Sequence, residues 1–323
     1  MIKLSRRAAL AGLSAFAAAP GRSQGVWPER PITLVHGFPP SGPVDTLSRI
    51  LGEGFSKRLG QPVVIEPRPG ATGTTAGGLV ARAKPDGYTL MAVPATFVAT
   101  AAMFRTLPYR PVEDFSFIST TAEYPFVLVT HPESGLQSLA DVIDKGRSPT
   151  APLQYGTAGV GSLQHLSMEL LAKRANLHLQ QVPYRGGAPA ITDLLGKRLD
   201  LVIDPPTALV NLIVAGKLRA LAVTGGSRFF GLPDVPTIAE SGFSGFAVNG
   251  YQGIAAPAGF SSALVQRLNG VIAEVLADPA IVERLREIGN SPIPSSPEQF
   301  KNRLADDIEQ WKKLVADANI ARI

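Results

Sequence analysis

The chain has 323 residues, enough for two domains at roughly 100–200 residues each, and its 45% hydrophobic and 18% charged composition excludes a wholly disordered chain or a coiled coil. It contains no cysteine, which excludes disulfides, thiolate metal sites, iron–sulfur clusters and a cysteine nucleophile together. The formal charge of +5 does not mark a nucleic-acid surface: Lys3, Arg6, Arg7 and Arg22 precede residue 26, no acid does, and the remainder is close to neutral.

Residues 1–25 read as a cleaved export signal. Met1–Arg7 carries three positive charges, and the 12 residues Ala8–Ala19 form an alanine-rich apolar run. That run is too short to span a bilayer, which takes about 20 residues. Ser5-Arg6-Arg7-Ala8-Ala9-Leu10 is similar to a twin-arginine signal, with alanine where that pattern usually has phenylalanine, so Tat and Sec export both stay open. Cleavage near Gly25 starts the mature chain at Val26. No later stretch reaches 18 uncharged apolar residues, so the mature protein is expected to be soluble and exported.

From Pro31 onward, short aliphatic runs alternate with segments of helical period. Ile32–Val35 reads as a strand and Val44–Leu59 as a helix, with Leu47, Ile50, Leu51 and Leu59 on one stripe and Gly60 as its stop. Further strands are expected at Val63–Glu66, Tyr88–Val93, Phe126–Thr130, Leu153–Thr157, Leu179–Val182, Leu201–Asp204, Leu218–Val223 and Gly253–Ala256, with helices between most of them. Strands alternating with helices predict an α/β protein with parallel sheets. The end is helical, over Ser262–Leu276 and Ser296–Ala318, the latter opened by the capping box Ser296-Pro297-Glu298-Gln299. There is no internal repeat and no low-complexity linker, which points to two α/β lobes joined by crossing strands around a ligand cleft.

Motifs for catalysis are missing. Gly242-Phe243-Ser244-Gly245-Phe246 lacks the last glycine of a nucleophile elbow, and Leu195-Gly196-Lys197-Arg198 lacks the upstream glycine and the Ser/Thr of a phosphate loop. No dinucleotide-binding glycine pattern follows a strand, so no cofactor is expected. His36, His131, His165 and His178 are scattered; only His165 has a possible partner, Glu169, one helical turn on, and such a pair is more often a surface contact than a metal site.

Glycine-rich turns that open into helices are plentiful. In Gly37-Phe38-Pro39-Pro40-Ser41-Gly42-Pro43-Val44-Asp45, Gly42 caps the helix, Pro43 starts it and Asp45 is an acid in its first turn. Unpaired N–H groups at such a helix start suit a carboxylate, and the Ser41–Pro43 backbone is the expected contact; Asp45 either caps its own helix or faces ligand. Gly156–Ser162 before Leu163–Lys173, and Tyr184-Arg185-Gly186-Gly187 before Ala188–Leu195, repeat the arrangement.

Val182-Pro183-Tyr184-Arg185-Gly186-Gly187-Ala188-Pro189-Ala190-Ile191-Thr192-Asp193-Leu194-Leu195-Gly196, followed by Asp200-Leu201-Val202-Ile203-Asp204, resembles the signature of the Bug family, the periplasmic solute-binding receptors of tripartite tricarboxylate transporters. Supporting strings are Pro85–Leu90, Ala215–Thr224 and Leu232–Gly242, so the resemblance runs from Trp27 to near the C-terminus. It implies a bilobal type II periplasmic-binding-protein (Venus flytrap) fold that closes over a small carboxylated solute. Lobe one would comprise 26–125 and 250–323, with 126–249 inserted as lobe two and Phe126–Thr130 and Tyr251–Ala256 as the crossing strands.

The resemblance also implies a site. In lobe one it maps onto Phe38, Pro39, Ser41, Gly42, Pro43 and Asp45, onto Ala71 and Thr72 in Pro69-Gly70-Ala71-Thr72-Gly73, and onto Thr96 as a side wall. In lobe two it maps onto Thr157, Gly159, His165, Arg185, Gly186 and Asp204. Arg185 either pairs a second carboxylate or stands on the rim. Asp204 either binds a ligand ammonium or serves as a turn acid. His165, in the first turn of its helix, suits a neutral hydrogen-bonding role. The chain departs from the family pattern at Gly37 (usually proline), Ser41 (usually glycine), Pro67 (usually asparagine) and Thr72 (usually glycine). Partners implied are the solute and membrane transporter subunits, with no nucleic acid, and the chain is expected to be a monomer; an exported enzyme on the same scaffold is the alternative.

Overall fold

The computed structural model describes residues 27–323, so the export-signal reading of residues 1–25 lies outside the described residues. The strands are β1 (Ile32–His36), β2 (Val63–Pro67), β3 (Thr89–Pro94), β4 (Phe115–Pro125), β5 (Val127–Thr130), β6 (Leu153–Thr157), β7 (Leu179–Pro183), β8 (Leu201–Asp204), β9 (Arg219–Val223), β10 (Asn249–Pro257) and β11 (Ser291–Pro292). The helices are α1 (Pro43–Leu59), α2 (Thr74–Ala81), α3 (Thr96–Met103), α4 (Leu139–Gly146), α5 (Leu163–Ala175), α6 (Gly187–Leu195), α7 (Pro206–Val214), α8 (Ser262–Ala277), α9 (Pro279–Glu287) and α10 (Pro297–Asp317). Among the described residues no helix is long and apolar enough to cross a membrane.

Two sheets form, each the centre of one lobe: six strands in the order β11-β4-β10-β3-β1-β2, and five in the order β7-β6-β8-β5-β9. Both are mixed, which corrects the expectation of parallel sheets. The strands β1, β2 and β3 are parallel, as are β6, β7 and β8, but β10 runs against β3 and β4, and β5 against β8 and β9. The reason is connectivity: a chain that leaves one sheet for another and returns must place the strands beside each junction against the βαβ direction. The strands expected to cross do not themselves cross. β5 pairs only in the second sheet and β10 only in the first, so the crossings are the junctions at Phe126, between β4 and β5, and just before Asn249.

Thr224, fully buried at the end of β9, ties both junctions together. Its N–H donates to Phe126 O (3.0 Å) and its O accepts from Val248 N–H (2.8 Å), while its hydroxyl accepts from Phe126 N–H (2.9 Å) and donates to Val248 O (2.6 Å).

Local sequence explains the elements around the cleft. α1 starts at Pro43 and ends where Gly60, at φ 70°, donates to Ser56 O. Its stripe Leu47, Ile50, Leu51, Phe55 and Leu59 is buried with Ile32 and Leu34 of β1 and Ile272 and Val275 of α8. Each such side chain contributes about 1.5–3 kcal/mol of burial. α10 opens with the expected box: Ser296 N–H donates to Gln299 Oε1 (2.8 Å) and Gln299 N–H to Ser296 Oγ (3.1 Å). A second core is shared by the lobes: Met103 of α3 and Phe300 and Trp311 of α10 join one apolar cluster with Leu163 and Leu166 of α5 and Phe246.

Candidate functional site

β1 ends on a fully buried histidine, His36. Its Nε2 lies 2.9 Å from Asp45 Oδ1, and Phe38 N–H approaches its Nδ1 at 3.4 Å. Asp45, in the first turn of α1, also accepts Ser41 N–H on Oδ2 (2.9 Å), and Arg49 clasps both of its oxygens at 2.8 and 3.1 Å. Burial alone would raise this carboxyl, but the hydrogen bonds from Arg49, Ser41 and His36 outweigh it and hold the group down at about 2. Of the two readings of Asp45, the turn favours the one that keeps the carboxylate within the chain: it is turned inward and takes the Ser41 N–H. The N–H groups of Gly42 and Val44 have no acceptor among the described residues, and Pro43 has none to give.

The second loop lies against the first. A Cβ on Gly37 would sit 2.3 Å from Gly73 Cα, so this approach requires glycine. Ala71, Thr72 and Gly73 follow one another at φ 43°, 55° and 91°, and Ser41 stands at φ 62°. For Ser41, Ala71 and Thr72 the left-handed conformation costs about 1–2 kcal/mol each, and for β-branched Thr72 it is a genuine outlier. Backbone strain of this kind gathers at ligand loops. Thr100 Oγ1 reaches Thr72 O (3.4 Å), which ties the loop to α3, where the Thr96 hydroxyl is buried without a partner among the described residues. Phe38, whose ring borders Gly73, and exposed Pro39 complete this wall.

In the second lobe, three of the expected residues shape the loops. Thr157 Oγ1 accepts from Gln181 Nε2 (2.7 Å) and stands 3.4 Å from both N and O of Gly159. His165 is buried; its Nδ1 accepts Gly161 N–H (3.2 Å) and its Nε2 lies 3.7 Å from Glu169. Burial holds this imidazole below its ordinary value against the pull of Glu169, so it is neutral with its proton on Nε2. Gly159 approaches Tyr184 O, bringing the β6–α5 turn beside the turn before α6. That turn carries Arg185, exposed and in no ion pair among the described residues, and Gly186 at φ 108°.

Asp204, at the end of β8, is 5% exposed, and among the described residues its carboxyl has one hydrogen-bond partner, Gln164 Nε2, 3.1 Å from Oδ1. A Cβ on Gly187 would lie 1.8 Å from Oδ2, so glycine is required for the start of α6 to close over this carboxyl. Burial pushes Asp204 up to about 7, with only the Gln164 hydrogen bond opposing it. Because the folded value lies above the unfolded one, the acid favours the fold in its protonated form. Stability is expected to fall as pH rises from about 4 through 7, and in Asp204→Asn this slope should vanish. Melting temperatures of both proteins at pH 4–8 check this; parallel curves would refute it.

Across the cleft, Pro43, Val44 and Leu47 line one small cavity with Pro205 and Thr207 of the second lobe, together with Tyr124, Gln252 and Asn290. Burial and the nearby Asp204 charge push the Tyr124 phenol up, and the Oδ1 of buried Asn290 has no donor among the described residues. Sequence reasoning singled out neither residue, nor Gln164, and read His36 only as a scattered histidine. A polar residue ending a buried strand was the available signal for His36.

Comparison with known proteins places this geometry. Residues 47–320 match the family model described as tripartite tricarboxylate transporter family receptor. Protein BugT of Bordetella pertussis is 33% identical over 91% of this chain and 91% of its own. A protein of R. palustris solved with adipate superposes with a TM-score of 0.83 at 35% identity, covering 92% of this chain and all of that one. MatC of Rhodopseudomonas palustris with bound malate gives 0.79 at 31% identity, over 90% and 100%. With a match spanning most of the chain and two lobes of mixed α/β structure around a cleft, the chain belongs to the tripartite tricarboxylate transporter receptor family, whose members are solute-binding receptors and not enzymes.

Proposed function

We propose that this protein captures one small carboxylated solute between its lobes in the periplasm and presents the closed form to the membrane subunits of a tripartite transporter. The lobes are assigned as 26–125 with 250–323, and 126–249. Residues 1–25 are read as the cleaved signal, by Sec or Tat, and the receptor as a monomer. The observation that carries the reading is the first-lobe turn: Asp45 fixes Ser41 from within, leaving the Gly42 and Val44 N–H groups without an acceptor among the described residues at the positive end of α1. Adipate and malate on similar receptors support the ligand class. Arg185 and Asp204 are assigned as the second-lobe groups that sort second carboxylates from ammonium groups. Closing on ligand, rather than chemistry, is the work of such a cleft.

The test is a thermal-shift screen of protein refolded free of carried-over ligand, against mono-, di- and tricarboxylates, acidic amino acids and aromatic acids. A cognate solute at 100 times its Kd adds about 2.7 kcal/mol. One ligand per chain, recovered unchanged, is expected; a well-refolded protein that no carboxylate stabilises overturns the reading.

A further inference from the structure

The turn after α9 reaches across to the other lobe. It is firmly held: Asn290 N–H donates to Leu285 O and Gly289 N–H to Arg286 O, both at 2.8 Å, the paired bonds that end a helix on a left-handed residue, here Gly289 at φ 72°. Ser291 and Pro292 then pair with Glu123 and Ala122 of β4, the strand that feeds the first junction.

Opposite this turn stands Pro206, the first residue of α7. A Cβ on Gly289 would lie 2.9 Å from Pro206 Cβ and 3.5 Å from both Phe229 Cζ and Thr207 N. A proline ring cannot swing aside as a flexible side chain would. Pro206 is itself buried, and α7 is seated through Leu209 in the same apolar cluster as Phe229, outside the cluster that α3, α5 and α10 share. Two unyielding surfaces thus meet with a bare Cα between them. Asn290 on one side and Pro205 and Thr207 on the other also line the cavity across the cleft, so the gap at Gly289 narrows as the lobes approach. Carbon atoms in contact settle about 3.5–4.0 Å apart, so a methyl at 289 would hold the lobes roughly 0.6–1.1 Å further apart at this point. That is enough to stretch a hydrogen bond across the cleft past its range of about 2.7–3.2 Å.

We propose that Gly289 is the closing stop of the cleft, a positioning residue that acts on the solute only through the lobes: its bare Cα lets the α9–β11 turn seat on the Pro206 ring and so fixes how closely the lobes approach. The stop rests on the capture of a solute between the lobes proposed above.

Isothermal titration with adipate, malate, citrate, glutamate and benzoate finds the acid that the wild type takes. Gly289→Ala should bind it at least tenfold more weakly, mainly through faster release, and Gly60→Ala within twofold of the wild type. Gly60 ends α1 at φ 70° with nothing within 4 Å of a Cβ among the described residues, so alanine there is strained alike but props nothing apart. The melting temperatures of the two variants should fall together. Removing the opposing Cβ, by combining Gly289→Ala with Pro206→Gly, should restore most of the affinity. Gly289→Asn, whose side chain suits left-handed backbone, repeats the comparison should alanine unfold the turn. A Gly289→Ala protein that binds as tightly as the wild type overturns the stop, as does a loss that Gly60→Ala matches or that Pro206→Gly does not relieve. A wild type that takes none of the five acids overturns the capture reading, and the stop with it.

Discussion

Thr224→Val should lower the unfolding free energy by about 2–4 kcal/mol. The substitution keeps the shape of the side chain and removes the hydroxyl that accepts from Phe126 N–H and donates to Val248 O. Both groups are then left without this partner at a fully buried position, and an unsatisfied buried polar group costs about 1–3 kcal/mol. The two groups lie on the two junctions between the sheets, so the loss falls on the hinge itself. Thr224→Ser, which keeps the hydroxyl and loses a methyl, should cost less than half as much. Urea denaturation of the three proteins decides it: if valine is tolerated better than serine, shape and not hydrogen bonding holds the junctions.

Asp45→Ala should be nearly as damaging and should also weaken carboxylate capture by tenfold or more. It strips His36 Nε2, Ser41 N–H and Arg49 of their common acceptor. Arg49 recovers water because its side chain is half exposed, so its share is small; the histidine and the backbone N–H account for most of an expected loss of about 2–3 kcal/mol. The pH signature has a definite sign. A carboxyl held at about 2 in the fold, below its unfolded value near 3.8, stabilises the protein above pH 4 and loses that contribution as pH falls toward 2. The wild type should therefore lose stability over this window, and Asp45→Ala should lack that component. Loss of stability with unchanged affinity for the cognate carboxylate would show that the turn does not grip the solute.

Local rules recovered what local chemistry determines. The box at Ser296 and Gln299 and the α1 stripe closed by Gly60 were legible because each depends on neighbours within a turn or two. β4, the 11-residue strand feeding the first junction, was missed because Ser119, Thr120 and Thr121 interrupt its apolar pattern. Those hydroxyls become suitable for a buried strand only when Ser295 O, Ile293 O and Gln252 O accept from them, and two of these acceptors lie more than 170 residues away. The same holds within the site. A glycine-rich turn can be read as a helix start, but that Asp45 folds back onto Ser41, or that Gly187 lies against Asp204, depends on packing that spacing does not encode.

The apolar cluster shared by α3, α5 and α10 sets the mechanics of capture. Met103 lies against Gly161, and Lys173 of α5 reaches Asp317 of α10 at 2.8 Å, so the lobes already touch along one edge. A rotation that preserves this packing has its axis near that edge, and arc length grows with distance from an axis. The sweep is then greatest at the rim farthest from that edge and least beside Leu163, which lines the cavity against α10. Solutes of increasing length should accordingly be accommodated as increments of angle, like a door held ajar by wedges of different thickness.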